Sequence, residues 1–155
     1  MSFLTLIFGP FLPYSDAVIR LAVAMVLGAV VGTERTLAHR RAGMRTYALV
    51  SVGAAAFVVI GEIVRQIYGE TGIDPLRIAS QIVMGIGFLG AGLIIVRGTQ
   101  INGLTTAAGL WVAATIGTSA GFGLYPLAAI IAMITLFVFV VLRGVEQEVK
   151  DHQVE

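Results

Sequence analysis

The chain has 155 residues, of which 57% are hydrophobic and 12% charged, with a formal net charge of +1 and no cysteine; its mean hydropathy is +0.94. A soluble domain of this size still exposes a large share of its surface and cannot hide so much apolar area, so its solvent is mostly lipid. The lack of cysteine excludes disulfides, thiolate metal centres and a cysteine nucleophile, and there is no basic block for nucleic acid.

Residues 1–14 read as an external interfacial segment. Met1 to Phe11 has no positive n-region, and its apolar run is only Phe3 to Phe8 before Pro10 and Pro13, which does not make a cleaved signal peptide. Residues 15–142 hold five apolar stretches, each predicted to cross the bilayer. The first starts at Ser15-Asp16, an N-cap pattern, and runs to Gly32. The second covers Thr46 to Ile67, about 33 Å of helix. The third follows Asp74-Pro75, with proline at the first helical position, and ends near Val96. The fourth runs from Gly103 to Ala120. The fifth, Leu124 to Leu142, is the most uniformly aliphatic, and residues 143–155 form a short charged tail.

Loop charges give an orientation. Arg35, Arg40, Arg41, Arg45, Arg97, Arg143 and Lys150 fall on one side, against Arg20, Arg65 and Arg77 on the other. The positive-inside rule then puts the N-terminus outside and the tail in the cytoplasm. The predicted architecture is an all-α integral membrane protein, five transmembrane helices in one compact glycine-rich bundle. An odd number of spans argues against two inverted halves in one chain, whereas a homodimer supplies a shared interface.

Winding the third span at about 100° per residue places Arg77, Gln81, Met84, Phe88, Ala91 and Ile95 on one face, with Gly85 and Gly92 at its edge. Ile78, Ile82, Ile86, Leu89 and Leu93 fall on the other. The first face carries the polar and small residues and is expected to point into protein; the second suits lipid. In the fourth span Asn102, Thr106, Gly109, Ala113, Gly117 and Ala120 share a stripe of mostly small residues. Small side chains let helix backbones approach where no hydrophobic drive exists between helices. Gly28, Gly32, Gly85, Gly87, Gly92, Gly109 and Gly117 are therefore expected packing positions, with spans one, three and four closing on glycine surfaces. The run Gly85-Ile86-Gly87-Phe88-Leu89-Gly90 matches a dinucleotide fingerprint only in spacing, because it lies in mid-membrane and has no strand before it.

Ionisable groups lie mostly near span ends. Asp16 and Arg20 are four apart and suited to an ion pair; Glu62 and Arg65 can pair with each other or with Arg77. Glu34, Arg35, Arg41 and Arg45 sit at the first connection, where either the arginines fix topology alone or Arg45 or Arg41 neutralises a Glu34 buried between helix ends. Asp74, Arg77 and Gln81 form the strongest local cluster. They read either as a cap, a salt bridge and an interhelical hydrogen bond, or as an outward vestibule for a cation or proton. Asn102, Thr105 and Thr106 make a similar polar cluster at the cytoplasmic start of the fourth span. Trp111 lies too deep for an interfacial belt and is expected to pack. His39 and His152 have no carboxylate at metal-ligand spacing, and neither HExxH nor GxSxG occurs, which points away from an enzyme and assigns no catalytic or cofactor-binding residue.

In order along the chain stand Gly32-Thr33-Glu34-Arg35, Arg41-Ala42-Gly43-Met44-Arg45-Thr46, Asp74-Pro75-Leu76-Arg77-Ile78-Ala79-Ser80-Gln81, Gly85 to Gly92 and Gly103-Leu104-Thr105-Thr106 through Trp111. Together these motifs resemble the MgtC/SapB family of bacterial membrane proteins over residues 15–142. The resemblance implies a multi-pass protein of the bacterial inner membrane; the family's best-known members are linked to growth in low magnesium, survival in macrophages and restraint of the proton-driven ATP synthase. It also implies a site list without assigned chemistry: Glu34, Arg35, Arg45, Asp74, Arg77, Gln81, Asn102, Thr105, Thr106 and Trp111. Many members continue into a soluble domain after the fifth span; residues 143–155 make the short form the nearer analogy, so a virulence role is not carried over. The expected function is non-enzymatic membrane regulation through helix-face contacts, with the bilayer, a homodimer partner and a membrane protein as partners. The alternative is a small transporter or channel for Mg²⁺ or another cation, through Asp74, Gln81 and Asn102.

Overall fold

The computed structural model describes residues 12–68, 74–145 and 148. Among these are five α-helices: α1 (Leu12–Leu37), α2 (Met44–Tyr68), α3 (Pro75–Leu93), α4 (Leu104–Gly121) and α5 (Tyr125–Phe137), the last continued by a π-helical turn, Val138–Leu142. Between α3 and α4 lies an antiparallel hairpin of β1 (Ile95–Arg97) and β2 (Gln100–Asn102), with Val96 opposite Ile101. The hairpin departs from the all-helical expectation and takes Ile95 and Val96 out of the third span. Most of the proposed external segment (1–11) and most of the tail, with Lys150 and His152, lie outside the described residues.

Among the described residues, four helices are long and apolar enough to cross a membrane: Tyr14–Leu37, Met44–Gln66, Leu76–Leu93 and Tyr125–Val145. The expected fourth span is not among them. α4 is diluted by Thr105, Thr106, Thr115, Thr118 and Ser119 and by three glycines. Its place in the fold accounts for this composition. α4 touches α1, α2, α3 and α5, and buries ten residues from Thr106 to Gly121. A helix enclosed by helices needs smallness more than hydropathy.

Each neighbour presents a narrow stripe to this centre. α1 contributes Ala24, Gly28, Val31 and Arg35, α2 contributes Tyr47, Ser51, Ala54, Ala55 and Val58, and α5 contributes Ala128, Ala132, Thr135 and Phe139. These spacings of three and four residues are those of a single helical face. A β-carbon added at Gly28 would stand 2.7 Å from Ser51 Cβ, and one at Gly32 2.7 Å from Met44 Cα. At Gly117 it would run into the Ser51 carbonyl, and at Gly121 it would meet Val58 Cβ at 2.8 Å. The glycine-sealed unit is thus α1–α2–α4, with α2 in the place expected of the third span.

α3 is turned the other way from its expected orientation. Ile82 and Ile86 are buried, against a cluster with Ala54, Val58 and Ala114, whereas Met84 is 68% and Phe88 82% exposed. The two isoleucines fit beside Ala114 of α4 and Ala54 and Val58 of α2, and Arg77, Gln81, Met84 and Phe88 are left outward. No atom lies within 4 Å of a β-carbon added at Gly85, Gly87 or Gly92.

Helix ends follow local chemistry. Asp74 caps α3, its Oδ1 accepting from the Leu76 amide at 2.9 Å, with Pro75 at the first helical position. Ser15 and Asp16 lie inside α1 rather than at its cap. α1 ends in a Schellman turn: the Arg40 amide donates to Arg35 O and the His39 amide to Thr36 O, with His39 at φ 55°. α4 ends in the same way at Gly123, φ 75°, with Leu124 bonded back to Ser119. Thr36 Oγ1 then accepts from the Met44 amide at 2.9 Å, tying the start of α2 to the end of α1.

Candidate functional site

Contacts between helix ends sort the polar residues into two groups. One end holds the last turn of α1, the first turn of α2, the hairpin and the end of α5; the other holds the start of α1, the end of α2, the start of α3 and the end of α4.

The first end carries the buried charge. Arg35, 2% exposed, closes α1, where a cation complements the carbonyl end of the helix. Its Nε donates to Glu34 Oε2, and its guanidinium carbon lies 3.6 Å from the centroid of the Phe139 ring. Arg143 approaches the other Glu34 oxygen at 4.0 Å. Glu34 is therefore neutralised by Arg35 and Arg143, whereas Arg41 and Arg45 are exposed. Phe139 meets the Tyr47 ring edge-on, centroids 6.4 Å apart at 79°. A β-carbon at Gly109 would collide with Tyr47 Oη and stand 2.7 Å from Phe139 Cζ. Phe139 belongs to the π turn, a distortion that re-aims side chains and recurs at functional sites. One residue from each of α1, α2 and α4 thus meets around the Phe139 ring of the α5 extension.

Two hydroxyls below it stand out. Tyr47 Oη and Ser51 Oγ are buried without a hydrogen-bond partner. They lie one turn apart on α2, directly above the glycines of α1 and α4. Such groups are uncommon, since burial of an unpaired hydroxyl costs free energy. Sequence reasoning missed Tyr47, Ser51 and Phe139 and assigned Arg143 only a topological role. A tyrosine within a run of small residues was the available signal.

At the opposite end, Arg20 pairs with Asp16 at 2.5 Å and donates to the Gly121 carbonyl at 2.9 Å, so it caps α4. Arg65 pairs with Glu62 at 2.8 Å, and Gln66 joins the same carboxylate at 3.2 Å. Arg77 and Gln81 are exposed and line a groove of about 930 Å³ between α2 and α3. Arg77 forms no salt bridge with Asp74 or Glu62.

The polar positions that the family resemblance singles out therefore fall at both ends of the bundle. Asp74 stands at the start of α3 and Asn102 beyond its end, about 28 Å of helix apart. Asn102 and Thr105 are exposed, and Thr106 is buried in the first turn of α4. Trp111 is 47% exposed rather than packed, on the narrow strip of α4 left open with Leu104 and Ala108. A smaller apolar pocket of about 380 Å³ lies between α4 and α5, lined by Thr105, Thr135 and Phe139 among others. Among the described residues, no three His, Asp or Glu side chains are grouped so as to hold a metal ion.

Comparison with known proteins places this arrangement. The family model described as "MgtC family" matches residues 21–148. The chain belongs to the MgtC family. It is 44% identical over 135 residues to Protein MgtC of Brucella abortus (strain 2308), covering 87% of this chain and 55% of that protein. It is 40% identical over 132 residues to the "Putative magnesium transporter YhiD" of Escherichia coli (strain K12), covering 80% and 59%. With Protein MgtC of Salmonella typhimurium the identity is 43% over 135 residues, covering 86% and 55%. The chain spans a little over half the length of these relatives. No solved structure matches it. Family membership and the four apolar helices make it a multi-pass membrane protein, and the Arg35 cluster and the α3 face lie within the matched region.

Proposed function

We propose that this MgtC-family chain is a non-enzymatic regulator in the bacterial inner membrane, N-terminus outside and C-terminus in the cytoplasm, serving adaptation to low magnesium. It acts through helix-face contacts with a second copy of itself or with another membrane protein, and α4 crosses the membrane inside the bundle.

The observation that carries this reading is the division of the glycines. Gly28, Gly32, Gly109, Gly117 and Gly121 are filled by neighbouring helices of the same chain, whereas Gly87 and Gly92 have no neighbour. Around Gly87 the outward face of α3 also carries Met84, Phe88 and Ala91, all exposed. Small residues among larger apolar ones let another helix approach closely, which is how helices associate in lipid. The Gly87→Leu variant tests it. The added side chain has space in the fold, so the variant is expected to fold normally and to lose self-association or partner capture. Unchanged assembly would remove the reading.

A second reading, a conduit for Mg²⁺ or another cation through Asp74, Gln81 and Asn102, is favoured by the name of the YhiD relative. It predicts ion flux in proteoliposomes that falls with Asp74→Asn. The separation of Asp74 and Asn102 along α3 weighs against it.

A further inference from the structure

The groove between α2 and α3 is a different surface from the Gly87 face. Its walls are apolar, set by Val50, Phe57, Ile78 and Leu89, and Gly53 and Gly85 flatten it, with no atom within 4 Å of a β-carbon at either. Along α3 the lining runs from Arg77 to Leu89, about 18 Å. That is slightly more than one leaflet of a hydrocarbon core about 30 Å thick. The groove is thus as long as an acyl chain of a single leaflet.

Its one cationic lining residue stands at one end. Arg77 is exposed there, and no carboxylate among the described residues pairs with it. Glu62, at the facing end of α2, is held by Arg65, and Asp74 Oδ1 is turned to the Leu76 amide. Gln81 lines the groove one turn further in and offers an amide donor. A cation at the headgroup level above an apolar furrow between helices is complementary to an anionic phospholipid.

We propose that this groove is a binding site for one anionic phospholipid, with an acyl chain between α2 and α3 and the phosphate on Arg77. The test is native mass spectrometry of the full chain in detergent, titrated with phosphatidylglycerol and phosphatidylcholine of identical acyl chains. Phosphatidylglycerol is expected to bind about tenfold more tightly, because the quaternary ammonium of phosphatidylcholine competes with Arg77 for its phosphate. Arg77→Gln is expected to bring it to the phosphatidylcholine level, and Gly85→Leu, which fills the furrow, to weaken both lipids. Equal binding of the two lipids overturns the proposal, as does a preference that survives Arg77→Gln. A Gly85→Leu variant that binds lipid normally but changes the monomer–dimer ratio overturns it in favour of a second copy in the groove. Failure of the Gly87 face as a contact surface would leave these outcomes unaffected.

Discussion

The guanidinium of Arg35 lies against the face of the Phe139 ring at 3.6 Å, so the end of α1 is latched to the extension of α5 by a buried cation. Glu34 completes the latch from the polar side. A desolvated cation–π contact is worth about 2 kcal/mol. Phe139→Leu is therefore expected to lower stability by about that amount while keeping the fold. Arg35→Gln is expected to cost more, about 3 kcal/mol, because it leaves the Glu34 carboxylate half-buried with only the distant Arg143. Denaturant unfolding in detergent ranks the two; equal, small effects would show that the latch contributes nothing.

The glycine division makes a paired prediction. Gly117→Ala is expected to destabilise the bundle by about 2–3 kcal/mol, since its methyl group meets the Ser51 carbonyl, which only a backbone shift can move. Gly109→Ala is expected to cost less, because the obstacle is the Tyr47 side chain. Gly85→Ala and Gly87→Ala are expected to leave the melting temperature of the dispersed monomer unchanged. A similar loss at all four positions would contradict the assigned packing.

Tyr47 Oη is buried without a partner, so Tyr47→Phe removes a group whose burial is uncompensated. The variant is expected to be as stable as the parent or more stable by up to about 1 kcal/mol. A loss of stability on thermal unfolding would mean that the hydroxyl is satisfied in the membrane.

His39 closes α1 at φ 55°, a conformation that costs a residue with a β-carbon about 1 kcal/mol. His39→Gly is expected to gain roughly that much, less the extra freedom glycine has when unfolded. An unchanged or lower unfolding midpoint would place the value of His39 in its side chain instead.

Much of this fold could be read along the chain, because hydropathy and caps are local. Asp74-Pro75 located the start of α3, and the loop arginines marked one end of the bundle. What failed were judgements that depend on neighbours. The winding of α3 set Ile82 and Ile86 apart from Gln81, Met84 and Phe88, as in the structure, but which face is inward depends on its neighbours. Ala114 of α4, with Ala54 and Val58 of α2, receives Ile82 and Ile86, and Gln81 and Gly85 are left outside. Adjacent Glu34 and Arg35 gave no sign that Phe139, a hundred residues away, would cover the arginine. Arg41 and Arg45 are nearer to Glu34 in sequence, yet both are exposed, and the second arginine beside its carboxylate is Arg143.

The central claim is that the outward face of α3 is a contact surface within the membrane. The chain has no cysteine, so a single cysteine can report it without background. In native membranes, Ala91→Cys is expected to crosslink efficiently, to a second copy or to one discrete partner band, while Val18→Cys on the exposed side of α1 does not. Crosslinking that is absent at Ala91, or equal at both positions, would contradict the account.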